Sequence, residues 1–99
     1  PPAVLPERVL DLAATHFGVT ARALRSPNRS AQLVQARQAV VFLLRQHTQL
    51  SYPEIGSLLG GRSHSTALYS HKRAKLRLQQ NLDWRQTLRN LSTQLERPL

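Results

Sequence analysis

Apolar residues recur at helical spacing along almost the whole chain, and capping residues and glycines divide that pattern into six segments. Pro6 suits the first turn of a helix, where its missing N–H costs nothing; Val9, Leu10, Ala13 and Phe17 follow on one face, and Gly18 stops the run. Thr20 caps a short second helix to about Leu24. The loop Arg25-Ser26-Pro27-Asn28-Arg29-Ser30 carries two arginines and no acid. Ser30 caps a third helix to about Thr48, and its centre, Ala39 to Leu44, is apolar all round, as in a helix buried on several sides. Ser51-Tyr52-Pro53-Glu54 reads as a capping box opening a fourth helix to about Leu59. Gly60-Gly61 then supplies the positive φ angles of a tight turn. Ser63 or Ser65 caps a fifth helix to about Gln79, with Ala67, His71, Ala74 and Leu78 inward, helped by Leu68. Asp83 caps a sixth, packed through Trp84, Leu88, Leu91 and Leu95 and closed by Pro98. The prediction is an all-α compact domain of about six helices over residues 1–99, with 1–5 as linker.

Composition narrows the class. Ninety-nine residues enclose one core, and the apolar 40% is mostly Leu, Ala and Val, which favours helices over a sheet. Fourteen basic residues against five acidic give a formal net charge of +9, so the partner is a polyanion: nucleic acid or an acidic membrane surface. Twelve of the fourteen are arginine, the residue suited to planar, bidentate contacts with phosphates and guanine edges. Without cysteine there is no disulfide or thiolate metal site. No apolar run approaches the ~18 residues of a membrane span. Pro1-Pro2-Ala3-Val4 is no signal peptide, and a chain that lacks methionine and opens on two prolines reads as a piece of a longer polypeptide cut at a linker.

Two helices, the first of about seven residues, joined by a short glycine turn make a helix-turn-helix, whose second helix enters the major groove with its N-terminal residues against base edges. Here that helix opens Ser63-His64-Ser65-Thr66, small or planar side chains able to donate and accept. Ser63, Ser65 and Thr66 could equally serve as a helix cap alone. Arg62 beside the tip, the absence of any acid between Glu54 and Asp83, and the affinity of free helix N–H groups for phosphate favour nucleic acid.

Taken together, Ala36-Arg37-Gln38, then Leu50-Ser51-Tyr52-Pro53-Glu54-Ile55-Gly56, then Leu59-Gly60-Gly61-Arg62-Ser63-His64-Ser65-Thr66 resemble the C-terminal duplex-binding domain of bacterial DnaA replication initiators over about residues 5–96. The resemblance implies a Trp-repressor-like helical fold, sequence-specific binding to short asymmetric origin boxes, and a place in the cytoplasm at the bacterial nucleoid. It also implies site residues: Arg29 in the minor groove, Arg37 and Gln38 on the backbone, Tyr52 and Pro53 close to DNA. Ser63, His64, Ser65 and Thr66 would contact bases and phosphates, preceded by Arg62, with Lys72 and Arg73 as a basic pair further along. The family usually has an aspartate at Ser63, so this chain presents a shorter, uncharged group to a base there; Ala67 replaces a larger β-branched residue. Double-stranded DNA is thus the expected partner, with acidic phospholipid as a weak second contact and a monomer as the expected state. The domain itself needs no cofactor, and ATP would belong to an upstream domain.

Three other readings compete. A phage or transposon regulator could carry the same module, and an upstream phosphate-loop ATPase would discriminate between them. A membrane-surface role needs a basic amphipathic helix, which Glu7, Arg8 and Asp11 do not make in the first segment. An enzyme is the least supported, since the five acids are scattered at positions 7, 11, 54, 83 and 96. A metal at His64 and His71 would have to bridge about 10 Å along the helix with no third ligand. His16 and His47 sit near helix ends, where the dipole favours them. Trp84 is expected in the core, and Tyr69 faces an undecided side.

Overall fold

A computed structural model describes residues 3–97, and these form six helices in the order the sequence predicts. They are α1 (Pro6–Phe17), α2 (Ala21–Arg25), α3 (Ala31–His47), α4 (Tyr52–Leu58), α5 (His64–Gln80) and α6 (Leu82–Glu96). No strand occurs among the described residues. Each boundary has a local cause. Gly18 adopts the left-handed conformation, φ 69°, and Val19 N–H reaches back to the Ala14 carbonyl at 2.9 Å. Thr20, Ser30 and Ser51 each accept a backbone N–H three residues on, and Glu54 completes the capping box by accepting from Ser51 N–H at 3.0 Å. Accepting those bonds also lowers the Glu54 pKa, the Ser51 backbone N–H first and its hydroxyl second.

The start of α6 corrects one expectation. Asn81, not Asp83, is its cap: Asn81 Oδ1 accepts from Trp84 N–H at 2.9 Å, while Asn81 N–H still closes α5 on the Arg77 carbonyl. Asn and Asp cap equally well, and the side chain nearer the end of α5 takes the task. Asp83 falls in the first turn, where its charge suits the helix dipole. Pro98, read as closing α6, lies outside the described residues, as do Pro1 and Pro2 of the expected linker; Val4, in that same stretch, packs against the core.

The core is built around α3, which packs against α1, α2, α5 and α6. Ala39, Val40, Val41, Leu43 and Leu44 are fully enclosed, as the apolar run predicts. Trp84 is also a core residue, and its indole N–H donates to the Ala74 carbonyl at 3.1 Å. Arg8 ties α1 to the end of α6, donating to the carbonyls of Gln94, Leu95 and Arg97 where the helix runs out of its own N–H donors.

What positions the motif is backbone contact at the turn. Gly56 in α4 accepts from the N–H groups of Leu59, Gly61 and Arg62, and a Cβ on it would stand 2.0 Å from the Arg62 carbonyl oxygen. Gly60, φ 79°, would put a Cβ 2.0 Å from the carbonyl oxygen of Arg25 at the end of α2. The turn is therefore pressed against both α4 and α2. Gly61, φ 82°, faces open space, so only its backbone conformation needs glycine. Urea denaturation should separate the two effects. Gly61→Ala is expected to cost about 1–2 kcal/mol, the left-handed penalty alone. Gly56→Ala should cost about 3 kcal/mol or more, because a backbone atom must move aside.

Candidate nucleic-acid interface

The tip of α5 is open to solvent: Ser63, His64, Ser65 and Thr66 are all exposed. Ser63 is the cap, its hydroxyl accepting from Thr66 N–H at 3.2 Å and lying 3.0 Å from Thr66 Oγ1. Beside the tip runs a cleft of about 770 Å³. Its walls come from the basic loop with Arg29, from Val34 and Gln38 of α3, and from Thr66, Tyr69 and Ser70 of α5; no carboxylate lines it. Arg29 is exposed and close enough to Arg62 for its charge to lower the Arg62 pKa, after the larger effect of burial. The loop arginine and the helix tip thus belong to one face. Ala67, small where its family relatives are expected to be larger, is buried beneath that face.

Two arginines expected to meet DNA are occupied within the protein. Arg37 is 5% exposed, and its guanidinium donates to four backbone carbonyls: Leu24 at 2.8 Å, Asn28 at 2.6 Å, Ala23 at 3.0 Å and Ser26 at 2.8 Å. Burial, and then the neighbouring Arg62, lower its pKa. Arg37 thus holds the end of α2 and the basic loop to α3. Arg62 also turns inward, donating to the carbonyls of Leu59, Ser26 (2.7 Å) and Leu24 (3.5 Å). It stays half-buried in the wall of the cleft, beside Arg29. Gln38 is half-buried in the cleft wall, whereas Pro53, Lys72 and Arg73 are exposed. Arg25, the other loop arginine, pairs with Glu7 at 2.6 Å. α1 thus has Glu7 and Asp11 outward and Arg8 engaged with α6, leaving no basic face.

Tyr52 is half-buried and joined to the middle of α5: its hydroxyl lies 2.8 Å from His71 Nδ1. The Arg45 guanidinium sits 4.3 Å from the Tyr52 ring centroid while donating to the Leu50 carbonyl. Phe42 covers His71 from α3 at 5.8 Å. Arg45 thus stands exposed beside Tyr52, a neighbour signalled in the sequence only by a basic residue in the last turn of α3, one short loop before Tyr52. Burial lowers the His71 pKa most, followed by the charges of Lys75 and Arg45. Tyr69, undecided from sequence, stands 63% exposed on the cleft wall. His47 makes a specific contact rather than only a dipole one, its Nε2 lying at Ser92 Oγ of α6.

A seven-residue helix, a turn pinned by Gly56 and Gly60, and a seventeen-residue helix with an exposed polar tip define a helix-turn-helix protein of the DNA-binding class. Comparison with known proteins narrows this. The family described as bacterial dnaA protein helix-turn-helix matches residues 6–74, more than half of the chain, and the chain belongs to that family. The chromosomal replication initiator protein DnaA of Trichormus variabilis is 37% identical over 94 residues, which is 95% of this chain and 20% of the relative. That of Corynebacterium jeikeium is 37% identical over 78 residues, 79% of this chain and 13% of the relative. That of Chloroflexus aurantiacus is 43% identical over 63 residues, 64% and 13% respectively. The chain thus spans a fifth or less of the length of these relatives. No helix among the described residues is long and apolar enough to cross a membrane.

The half-buried His71 imidazole sets a pH dependence. Unfolded, His71 takes up a proton near the ordinary 6.5; folded, it does so only at lower pH. Between those values the unfolded chain binds more protons, so stability falls as pH drops below about 6.5 and levels off beneath the folded pKa. Denaturant midpoints measured from pH 7.5 to 5 should show that fall, and His71→Gln should flatten it.

Proposed function

We propose that this domain reads double-stranded DNA in a sequence-specific way, at short asymmetric boxes of a replication origin. The observation that supports it best is the shared face: Arg29 and the exposed tip of α5 flank one cleft that no carboxylate lines. In this reading His64, Ser65 and Thr66 meet base edges in the major groove, with Ser63 mainly holding the helix start. Arg29 enters the adjacent minor groove, where a narrow A·T-rich segment concentrates negative potential. Gln38, Lys72 and Arg73 grip phosphates, and Tyr52 and Pro53 approach the flank of the site. One domain binds as a monomer to an asymmetric site. The relatives' printed name, chromosomal replication initiator protein, supports the origin as the place of action at the nucleoid. The remainder of a protein of that kind would supply an ATP-using domain upstream.

Three measurements on the isolated domain test this. With Arg37 and Arg62 turned inward, about four to six phosphates remain to be neutralised, so the log–log salt slope should be about −4 to −5. His64→Ala should relax discrimination by about 1–3 kcal/mol at one or two base pairs; undiminished discrimination would remove His64 from the reading role. Arg29→Ala should weaken binding most at sites whose flank has a narrow minor groove.

A further inference from the structure

Arg62 and Arg37 converge on the segment that carries Arg29. The Ser26 carbonyl accepts from both guanidinium groups, at 2.7 Å from Arg62 and 2.8 Å from Arg37. Arg62 also donates to Leu59 at the end of α4 and to Leu24 at the end of α2, so its planar fork spans the motif and the loop. Arg37 holds the far side of the same loop through Asn28, one residue before Arg29. Gly60 closes the joint by letting the turn's backbone lie against the Arg25 carbonyl. Asn28 Oδ1 accepts from Ser30 N–H at 2.9 Å, which fixes the two residues either side of Arg29. The Arg29 side chain itself stays exposed.

We infer that Arg62 is a positioning residue: it latches the basic loop to the helix-turn-helix turn and so fixes the distance and angle between Arg29 and the tip of α5. The inference rests on the proposed reading of Arg29 in the minor groove. A duplex places its minor and major grooves at a set offset, and two reading elements gain from simultaneous engagement only when their spacing matches it. A loop joined by a single flexible backbone would lose that match; one held by a fork of hydrogen bonds keeps it. A lysine at position 62 would conserve the charge but offer one point donor in place of the fork.

The test is a double-mutant cycle on the domain, with every variant first shown to be folded by circular dichroism and thermal melting. Two ratios are measured for each: the preference for a narrow over a wide minor-groove flank, and the preference for the selected box over a box mismatched at the bases facing His64–Thr66. Arg62→Lys should reduce the flank preference about three- to tenfold, the scale of one net hydrogen bond, and leave the box preference intact. In the Arg29→Ala background the same substitution should change the flank preference by a factor of about one, because the latch acts only through Arg29. Backbone amide relaxation should show residues 26–30 loosened in Arg62→Lys while α5 is unchanged. A full flank preference in Arg62→Lys overturns the latch, as does an equal loss in both backgrounds or an equal loss of both preferences. If Arg29→Ala itself leaves the flank preference intact, the minor-groove reading fails first and takes the latch with it.

Discussion

The backbone carbonyls of Leu24, Ser26 and Asn28 lie where a short helix ends and a loop begins, with no helical N–H groups to satisfy them. Two guanidinium groups from elsewhere in the chain do so, and on Ser26 they share a single oxygen. Bringing two cations together with no acid between them is unfavourable in isolation; the Arg37 pKa is lowered by burial first and by Arg62 second, and that of Arg62 by burial first and by Arg29 second. The arrangement holds because both forks donate to the carbonyls of buried Leu24 and half-buried Ser26, and a buried carbonyl left unpaired costs about 1–3 kcal/mol. The loop, the end of α2, the start of α3 and the motif turn become one rigid piece as a result. The DNA-facing surface inherits its shape from that piece.

This division of labour changes how the basic charge is to be counted. Arg8 closes α6, Arg37 and Arg62 hold the loop, and Arg77 lies over Trp84 with its guanidinium 4.5 Å from the ring centroid. A formal charge of +9 therefore overstates the number of phosphates that arginine side chains can reach. Of the exposed basic side chains that have no partner among the described residues, Arg29 lines the open cleft, and Lys72 and Arg73 follow the tip along α5, as electrostatic capture of a duplex requires.

Most of the fold was legible because its signals are local. Gly18, Thr20, Ser30 and the Ser51–Glu54 box act within one turn of where they stand, and each helix end lies within a residue or two of its predicted place. Asp83 misled because an equally good cap stood two residues earlier, and only the path of the chain out of α5 decides between them. The site was harder. The exposed tip followed from the turn, but the fates of Arg37 and Arg62 depend on carbonyls that are distant in sequence. For Arg37 one signal was present: it stands four residues after Leu33 and before Val41, on the buried stripe of α3. Nothing comparable marks Arg62, since its partners come from the ends of α2 and α4.

The claim on which the rest depends is that one rigid face reads two adjacent grooves at a fixed offset. Selection of bound duplexes from a random pool tests it without presupposing any site. The expected outcome is a short asymmetric motif whose base-specific positions are flanked, on one side only and at constant spacing, by an A·T-rich stretch of narrow minor groove. A motif with no such flank, a flank at variable spacing, or no enrichment at all would contradict it.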